Sequence, residues 1–176
     1  MSKFRSLQCL ALLMFVSCSQ GGRMASAETP QQLMEGWVGT WKVELKFKKS
    51  LLIPEEMTIR GTETIRWVLN KQFLQSDQSY EGGDYKKLVL IRYDPDEGIF
   101  LFWDFDSKGG VPMGITSGTW NQAKSEIVIS GQYIGGATAE GVIRLGDDDR
   151  TEMNITVTGA DGTVLLDFEG SGEKSN

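Results

Sequence analysis

The chain has 176 residues, a net charge of −6 and no histidine. The missing histidine excludes imidazole bases, His metal ligands and Ser-His or Cys-His couples. An acidic chain without a basic cluster is also poorly suited to nucleic acid, because contacts from Lys and Arg to phosphates dominate that affinity. We therefore predict no cofactor, no metal site and no nucleic-acid partner. The two cysteines, Cys9 and Cys18, lie inside or at the edge of the predicted N-terminal leader, so any chemistry of the folded domain has to come from carboxylates, Lys, Tyr or Ser.

The start of the chain has the layout of a secretory signal peptide. Its first 27 residues contain no Asp or Glu, and Lys3 and Arg5 precede an apolar run from Leu10 to Val16. That run is much shorter than the roughly 20 residues that a helix needs to span a bilayer. The small residues Ala25-Ser26-Ala27 form a cleavage site, which predicts a signal peptide over 1–27 and export to the periplasm or the medium.

A second interpretation of the leader is a bacterial lipoprotein. The stretch from Phe15 to Cys18 resembles the lipoprotein cleavage motif. In that case 1–17 is the leader, Cys18 carries the lipid, and 18–28 is a tether whose lipid provides the only membrane contact. Both interpretations leave 29–176 as a single folded domain in the cell envelope or outside it.

A short amphipathic helix is predicted at the start of this domain. Thr29 can cap it, Pro30 suits its first position, and Gln32 completes a capping box with Thr29. Apolar residues up to Trp37 recur at helical spacing, so we expect a helix over 30–37 that lies against a sheet.

The rest of the domain consists of short strands. The stretch "GTWKVELKFK" from Gly39 alternates apolar and polar residues without error, as expected of a strand with one buried face. About ten such strands follow one another, separated by turns, and no segment between them could form a crossover helix. We therefore predict an all-β, antiparallel up-and-down barrel of the lipocalin type, with the short helix closing one end. A sandwich is the alternative, but it usually needs a long return connection.

The alternation also predicts which side chains face the barrel interior and line a ligand-binding space. Glu63 is the one charged residue among them, and it either meets an Arg or a ligand inside or is turned outward by a bulge near Gly61. The predicted interior residues are Trp41, Val43, Leu45, Phe47, Ile59, Glu63, Ile65, Trp67 and Trp103.

Clustered carboxylates are weaker candidates for a site. The stretches "DPDEG" and "GDDD" lack the spacing of a calcium loop, and surface hairpin turns explain both. Asp104 and Asp106 lie two residues apart on one strand, whereas a glycosidase needs two carboxylates across a cleft.

Several motifs resemble a known family. Gly39-Thr40-Trp41, directly after a helix, resembles the Gly-x-Trp signature of the lipocalins and the wider calycin superfamily. The later stretches "RWVLNKQFL", "YDPDEG", "SGTWNQAKSEIVISG" and "GADGT", in that order, resemble a bacterial family of lipocalin-like domains, domain of unknown function 1579. The resemblance implies a barrel closed by a helix at the Trp end, often exported, and it implies no particular activity.

The same resemblance bears on ligands. The related nitrobindin-like barrels bind haem through a His, which this chain lacks, so only a Tyr such as Tyr93 or Tyr133 could hold haem. Our preferred hypothesis is a binding protein for a small apolar or amphipathic molecule. The alternatives are an enzyme that uses a carboxylate or Tyr in the same barrel, and a module that binds another envelope protein.

Overall fold

A computed structural model describes four segments of the chain: 29–108, 114–133, 135–145 and 149–175. The predicted leader, with Cys18 and both cleavage sites, lies outside these segments. The described residues form one α-helix and ten β-strands in a single closed barrel. The helix, at eight residues, is too short to cross a membrane, and no other α-helix is present in these segments.

The elements follow one another along the chain as a simple meander. A 3₁₀ turn, Gln122–Lys124, separates the sixth strand from the seventh. The elements are α1 (Pro30–Trp37), β1 (Gly39–Phe47), β2 (Met57–Val68), β3 (Phe73–Tyr80), β4 (Lys86–Asp94), β5 (Ile99–Asp106), β6 (Gly114–Asn121), β7 (Glu126–Tyr133), β8 (Thr138–Leu145), β9 (Arg150–Thr158) and β10 (Val164–Lys174).

Every strand pairs antiparallel with its neighbour in the chain, and β1 also pairs with β10. Trp41, for example, lies between Glu63 of β2 and Lys174 of β10. The predicted antiparallel barrel with about ten strands is therefore confirmed, and the sandwich alternative is wrong.

The helix α1 closes one end of the barrel, which we call the closed end. Thr29 accepts a hydrogen bond from the Gln32 backbone N–H and completes the predicted capping box. Leu33 and Met34 are buried against the barrel, and the Trp41 indole Nε1 donates to the Trp37 carbonyl at 2.8 Å. This bond satisfies a carbonyl that the end of a helix leaves without an intrahelical partner.

The hydrophobic core is concentrated at the closed end. Trp37 contacts Phe100 with ring centroids 5.8 Å apart, and Phe100 is fully buried. The other buried apolar residues there are Leu33, Met34, Trp41, Ile65, Leu74, Val89, Ile91, Phe102, Ile127 and Ile129. This half of the interior is therefore filled by the protein's own side chains.

The opposite end of the barrel, which we call the open end, is not filled in the same way. The inward side chains of β1 beyond Trp41, which are Val43, Leu45 and Phe47, are all partly exposed. Ile59 on β2 and Phe168 on β10 have the same intermediate exposure. Solvent therefore reaches apolar side chains that point into this half of the barrel.

Trp103 does not face the interior, so that prediction is wrong. Phe100 and Phe102 are the inward aromatic residues of β5, and Trp103 packs on the outer face against Phe73, with ring centroids 5.8 Å apart. Both faces of this strand are apolar, so alternation alone did not distinguish inside from outside. Pairing with β4 decides which face of β5 points inward, because Phe102 lies opposite the buried Ile91.

Gly61 allows a close approach between β2 and β3, and no bulge lies at this position. The pairing of β2 with β1 and β3 runs through Gly61 without a register shift. A Cβ atom at this position would lie well inside van der Waals contact of the Ser79 carbonyl oxygen. Glycine thus lets β3 approach β2 closely at this position. Because no bulge interrupts the alternation, Glu63 keeps the inward phase, and the proposed outward turn is wrong.

Replacing Gly61 tests this close approach. We expect Gly61→Ala to lower the free energy of unfolding by about 3 kcal/mol, because the added methyl group would displace the backbone of β3. Gly36→Ala is the matched control, since its Cβ would meet nothing within 4 Å. The control should stabilise the protein by about 0.5 to 1 kcal/mol, as Ala does in helices. Urea denaturation of both variants measures the difference, and equal tolerance of the two substitutions would contradict the close approach.

Candidate functional site

Polar side chains meet on one side of the barrel interior. Cross-strand pairing places Glu63 beside Gln78, and Gln78 beside Lys87. The same phase along β3, β4 and β5 brings in further polar residues. We call this group the interior polar cluster; it comprises Glu63 on β2, Ser76, Gln78 and Tyr80 on β3, Lys87 on β4 and Asp104 on β5.

Glu63 is held in place by two neutral donors from β3. The Ser76 hydroxyl donates to Glu63 Oε1 at 2.5 Å, and Gln78 Nε2 donates to the same oxygen at 3.0 Å. Ser76 is fully buried, so its position is fixed by packing. No Arg of the described segments contacts Glu63, so the alternative of an Arg partner inside the barrel is wrong; Arg66, on the same strand, pairs with Asp77 at 3.1 Å.

Tyr80 extends this network toward the open end. Its hydroxyl donates to Gln78 Oε1 at 2.6 Å, which leaves the amide nitrogen of Gln78 directed at Glu63. Burial raises the pKa of Tyr80 to about 12, with the Glu63 carboxylate acting in the same direction and Lys87 opposing it. The hydroxyl is therefore a hydrogen-bond donor at neutral pH and a poor base.

Lys87 and Asp104 form an ion pair beside this network. Lys87 Nζ lies 2.6 Å from Asp104 Oδ1, and both side chains are largely shielded from solvent. Burial acts to lower the pKa of Lys87, but the Asp104 carboxylate outweighs it and holds that pKa above its ordinary value. Lys87 is therefore a protonated ammonium at neutral pH and is unsuited to act as a nucleophile.

The opposite side of the same interior is apolar. Phe47 and Phe168 lie near the open end with ring centroids 5.3 Å apart. Smaller side chains continue this surface toward the middle of the barrel, and all have intermediate exposure. We call it the apolar wall; it comprises Val43, Leu45 and Phe47 on β1, Ile59 on β2, Ile155 on β9 and Phe168 on β10.

The family of the chain follows from its sequence together with this barrel. Residues 26–169 match the model of the family described as "Protein of unknown function (DUF1579)". The chain belongs to the DUF1579 family. The resemblance noted from the sequence motifs is thus confirmed, over most of the chain. None of the curated proteins matches the chain.

Solved structures confirm the fold of this DUF1579 barrel. It is similar to the crystal structure of Rv2717c from M. tuberculosis, with a TM-score of 0.63 and 14% identity over 84% of this chain and 99% of that one. It is also similar to a DUF3598 protein of unknown function from Nostoc punctiforme, with a TM-score of 0.60 and 13% identity. That match covers 85% of this chain and about half, 51%, of the other. At these identities the likeness concerns the fold alone.

The predicted interior residues fall into three groups in the DUF1579 barrel. Val43, Leu45, Phe47, Ile59 and Glu63 face the open half and are reached by solvent. The second group, Trp41, Ile65 and Trp67, lies at the closed end. The third consists of Trp103 alone, which lies on the outer face. In the second group, Trp41 and Ile65 are buried in the core, and Trp67 packs against it while its indole donates to Glu35 of α1 at 3.0 Å. Contact of the first group with a ligand stays a prediction.

Most of the interior polar cluster was missed by sequence reasoning, although a signal for it exists. Ser76, Gln78 and Tyr80 share the phase of Leu74, so their inward direction follows once Leu74 is placed in the core. Lys87 similarly shares the phase of Val89. Polar residues on both faces of β3 hid this pattern, because they left the strand without an obvious buried side.

A groove on the outside of the sheet is the rival location for a site. Its volume is about 540 Å³, and it runs across β2 to β5 over mostly outward-facing residues such as Thr62, Thr64 and Leu88. It lies over a shallow, open surface of the sheet. The interior polar cluster is the better candidate, because its side chains are ordered by mutual hydrogen bonds and enclosed by the barrel.

The described carboxylates do not gather into a metal site. Within the four described segments, no group of three or more Asp, Glu or Cys residues is placed to hold a metal ion. The acidic turn after β4 has a structural explanation, since Asp94 Oδ1 accepts hydrogen bonds from the backbone N–H groups of Asp96 and Glu97. Residues 146–148 of the "GDDD" stretch lie outside the described segments.

The raised pKa of Tyr80 predicts a pH dependence of stability. A free tyrosine ionises near pH 10, so between about pH 10 and 12 the unfolded chain loses this proton while the folded barrel keeps it. The stabilisation is complete below that range and is lost as the pH rises through it. We expect the unaltered protein to lose about 1 kcal/mol more stability between pH 9 and pH 11 than Tyr80→Phe does. Parallel urea denaturation curves measure this difference, and identical pH profiles would show that Tyr80 is not buried in this way.

Proposed function

We propose that this chain is an exported barrel that binds one small amphipathic molecule through its open end. The observation that carries the proposal is an interior with two chemically different sides, both reached by solvent. The interior polar cluster lies on β2 to β5, and the apolar wall lies on β1, β2, β9 and β10. An amphipathic molecule can place its apolar part on one side and its polar part on the other.

The difference between the two halves of the barrel supports this proposal. At the closed end, inward residues such as Leu74 and Ile127 are fully buried. In the open half, inward apolar residues such as Leu45 and Ile155 keep some exposure to solvent. A barrel that served only as a stable core would gain from filling this half too, because burial of apolar surface stabilises the fold.

The chemistry of the interior polar cluster favours binding over catalysis. Tyr80 is a poor base, and Lys87 is engaged by Asp104. Glu63 accepts two hydrogen bonds on a single oxygen. These groups are arranged to recognise a polar group, and a general acid and base pair across a reacting bond is not found among the described residues.

Binding to the apolar wall can be tested with N-phenyl-1-naphthylamine, an uncharged probe whose fluorescence rises in apolar surroundings. We expect saturable binding of one probe per barrel. The double substitution Leu45→Gln with Ile59→Gln places two amides on the apolar wall, where these residues lie directly opposite each other. It should weaken binding at least tenfold, because each buried apolar side chain contributes about 1 to 2 kcal/mol.

The chain offers a matched control one residue away. Lys46 and Thr58 also lie directly opposite each other on the same two strands, but with the outward phase. Lys46→Gln with Thr58→Gln should leave probe affinity within about twofold, with circular dichroism confirming that both double variants are folded. Absence of saturable binding, or an equal loss from the outward pair, would refute binding inside the barrel.

The proposed export can be tested separately on the full chain expressed in bacteria. Cell fractionation should find the protein outside the cytoplasm. Labelling with a radioactive fatty acid should mark it only if Cys18 is the lipid attachment site, and Cys18→Ser should then abolish the label. An unlabelled protein in the periplasm indicates cleavage after Ala27 instead, and a cytoplasmic protein would refute export.

A further inference from the structure

The charged side chains that face the open half of the barrel are unevenly balanced. In the described segments they comprise three carboxylates, on Glu63, Asp104 and Asp106, and one ammonium, on Lys87. Lys87 and Asp104 neutralise each other across 2.6 Å. Asp106 lies at the end of β5, where its Oδ1 accepts from the Lys108 backbone N–H. Neither Glu63 nor Asp106 is in an ion pair with a described residue, and of the two Glu63 lies deeper in the barrel, opposite Trp41.

The two oxygens of Glu63 have different surroundings. Oε1 accepts the hydrogen bonds of both Ser76 and Gln78. Oε2 has no hydrogen-bond partner in the described part of the chain. It is also not fully enclosed, unlike three other side-chain atoms without a partner: Ser50 Oγ, Trp120 Nε1 and Asp167 Oδ1. Oε2 therefore keeps some accessible surface, and because Glu63 has the inward phase, we infer that this surface faces the barrel interior.

The neighbours of Glu63 keep this oxygen in place. Ser76 is fully buried, and Gln78 is fixed at its other end by the Tyr80 hydroxyl. All three are neutral, so they orient the carboxylate without cancelling its charge. The result is an ordered anionic acceptor at the boundary between the interior polar cluster and the open space beside the apolar wall.

We propose that the molecule held by this barrel is a cationic amphiphile, whose protonated amine or similar organic cation is received by Glu63 Oε2. This inference rests on the proposed function and specifies its ligand class. An anionic headgroup would instead meet an unpaired carboxylate in a shielded space, where like charges repel strongly. A metal ion is a poor alternative, because one carboxylate oxygen does not complete a coordination shell.

Stacked tyrosines near the open end fit the same ligand class. Tyr80 and Tyr85 lie with ring centroids 5.8 Å apart, and the Lys108 ammonium lies 5.6 Å from the centre of the Tyr85 ring. Aromatic faces attract cations through their quadrupole, so this part of the barrel already accommodates one positive charge. Aromatic rings and the carboxylate of Glu63 thus lie in the same part of the barrel, joined through Gln78, which binds both Tyr80 and Glu63.

Three ligands of equal chain length test the charge preference by displacing N-phenyl-1-naphthylamine at pH 7: dodecylammonium and dodecanoate, each below its micelle concentration, and dodecanol below its solubility limit. On the unaltered barrel, dodecylammonium should bind at least tenfold more tightly than dodecanoate, with dodecanol between them. Glu63→Gln keeps the shape and the acceptor for Ser76 but removes the charge. It should reduce the preference for dodecylammonium over dodecanoate at least tenfold and change dodecanol affinity less than threefold.

Glu44→Gln is the matched control. Glu44 lies on the outer face of β1 in an ion pair with Arg60, and its substitution changes the net charge by the same amount as Glu63→Gln. Its ligand preference should equal that of the unaltered barrel. Equal binding of all three ligands, preference for dodecanoate, or an effect of Glu44→Gln as large as that of Glu63→Gln would overturn this inference alone. Failure of the probe and of every ligand to bind would overturn the proposed function. The three-ligand comparison on the unaltered barrel stands even if a variant does not fold.

Discussion

Closure of the sheet by the pairing of β1 with β10 is the constraint on which the rest of the structure depends. Seven residue pairs, from Trp41 opposite Lys174 to Phe47 opposite Phe168, join these strands, and β1 pairs with β2 along its other side. Every strand thus has two partners, so no edge is free and each register is set from both sides. A slip of one residue would exchange inward and outward side chains, so closure decides which residues reach the interior.

The two ends of this barrel have different physical roles. At the closed end, α1 and large side chains such as Trp41 and Phe100 fill the interior, and the Trp41 indole satisfies the last turn of the helix. At the open end Ala139 is buried, but other inward side chains, such as Leu45 and Phe47, are partly exposed, and the inward residues change from apolar to polar around the ring. Stability is therefore concentrated where the helix docks, and the remaining half of the barrel is where we propose that a ligand binds.

Burying the interior polar cluster costs stability, and its hydrogen bonds reduce that cost. Ser76 and Gln78 bind one oxygen of Glu63, Tyr80 orients Gln78, and Lys87 neutralises Asp104. An apolar interior would avoid this cost altogether. The network also holds the polar groups in fixed directions, as recognition of one particular ligand requires, because ordering them beforehand lowers the entropy lost on binding.

The sequence alone determined the fold class, the bounds of α1 with its capping box, and the inward phase of β1, because these depend on residues within a few positions of one another. It placed Glu63 in phase with the inward residues of β2 but left open whether a bulge turns it outward, and its partners on β3 became visible only when strand pairing placed Ser76 and Gln78 beside it. The orientation of Trp103 could not be predicted from the sequence for a similar reason. Both faces of β5 are apolar, and only its register with β4 shows that Phe102 points inward and Trp103 outward. Local alternation defines two faces of a strand, whereas the choice between inside and outside, and the meeting of four strands at one site, are properties of the closed sheet.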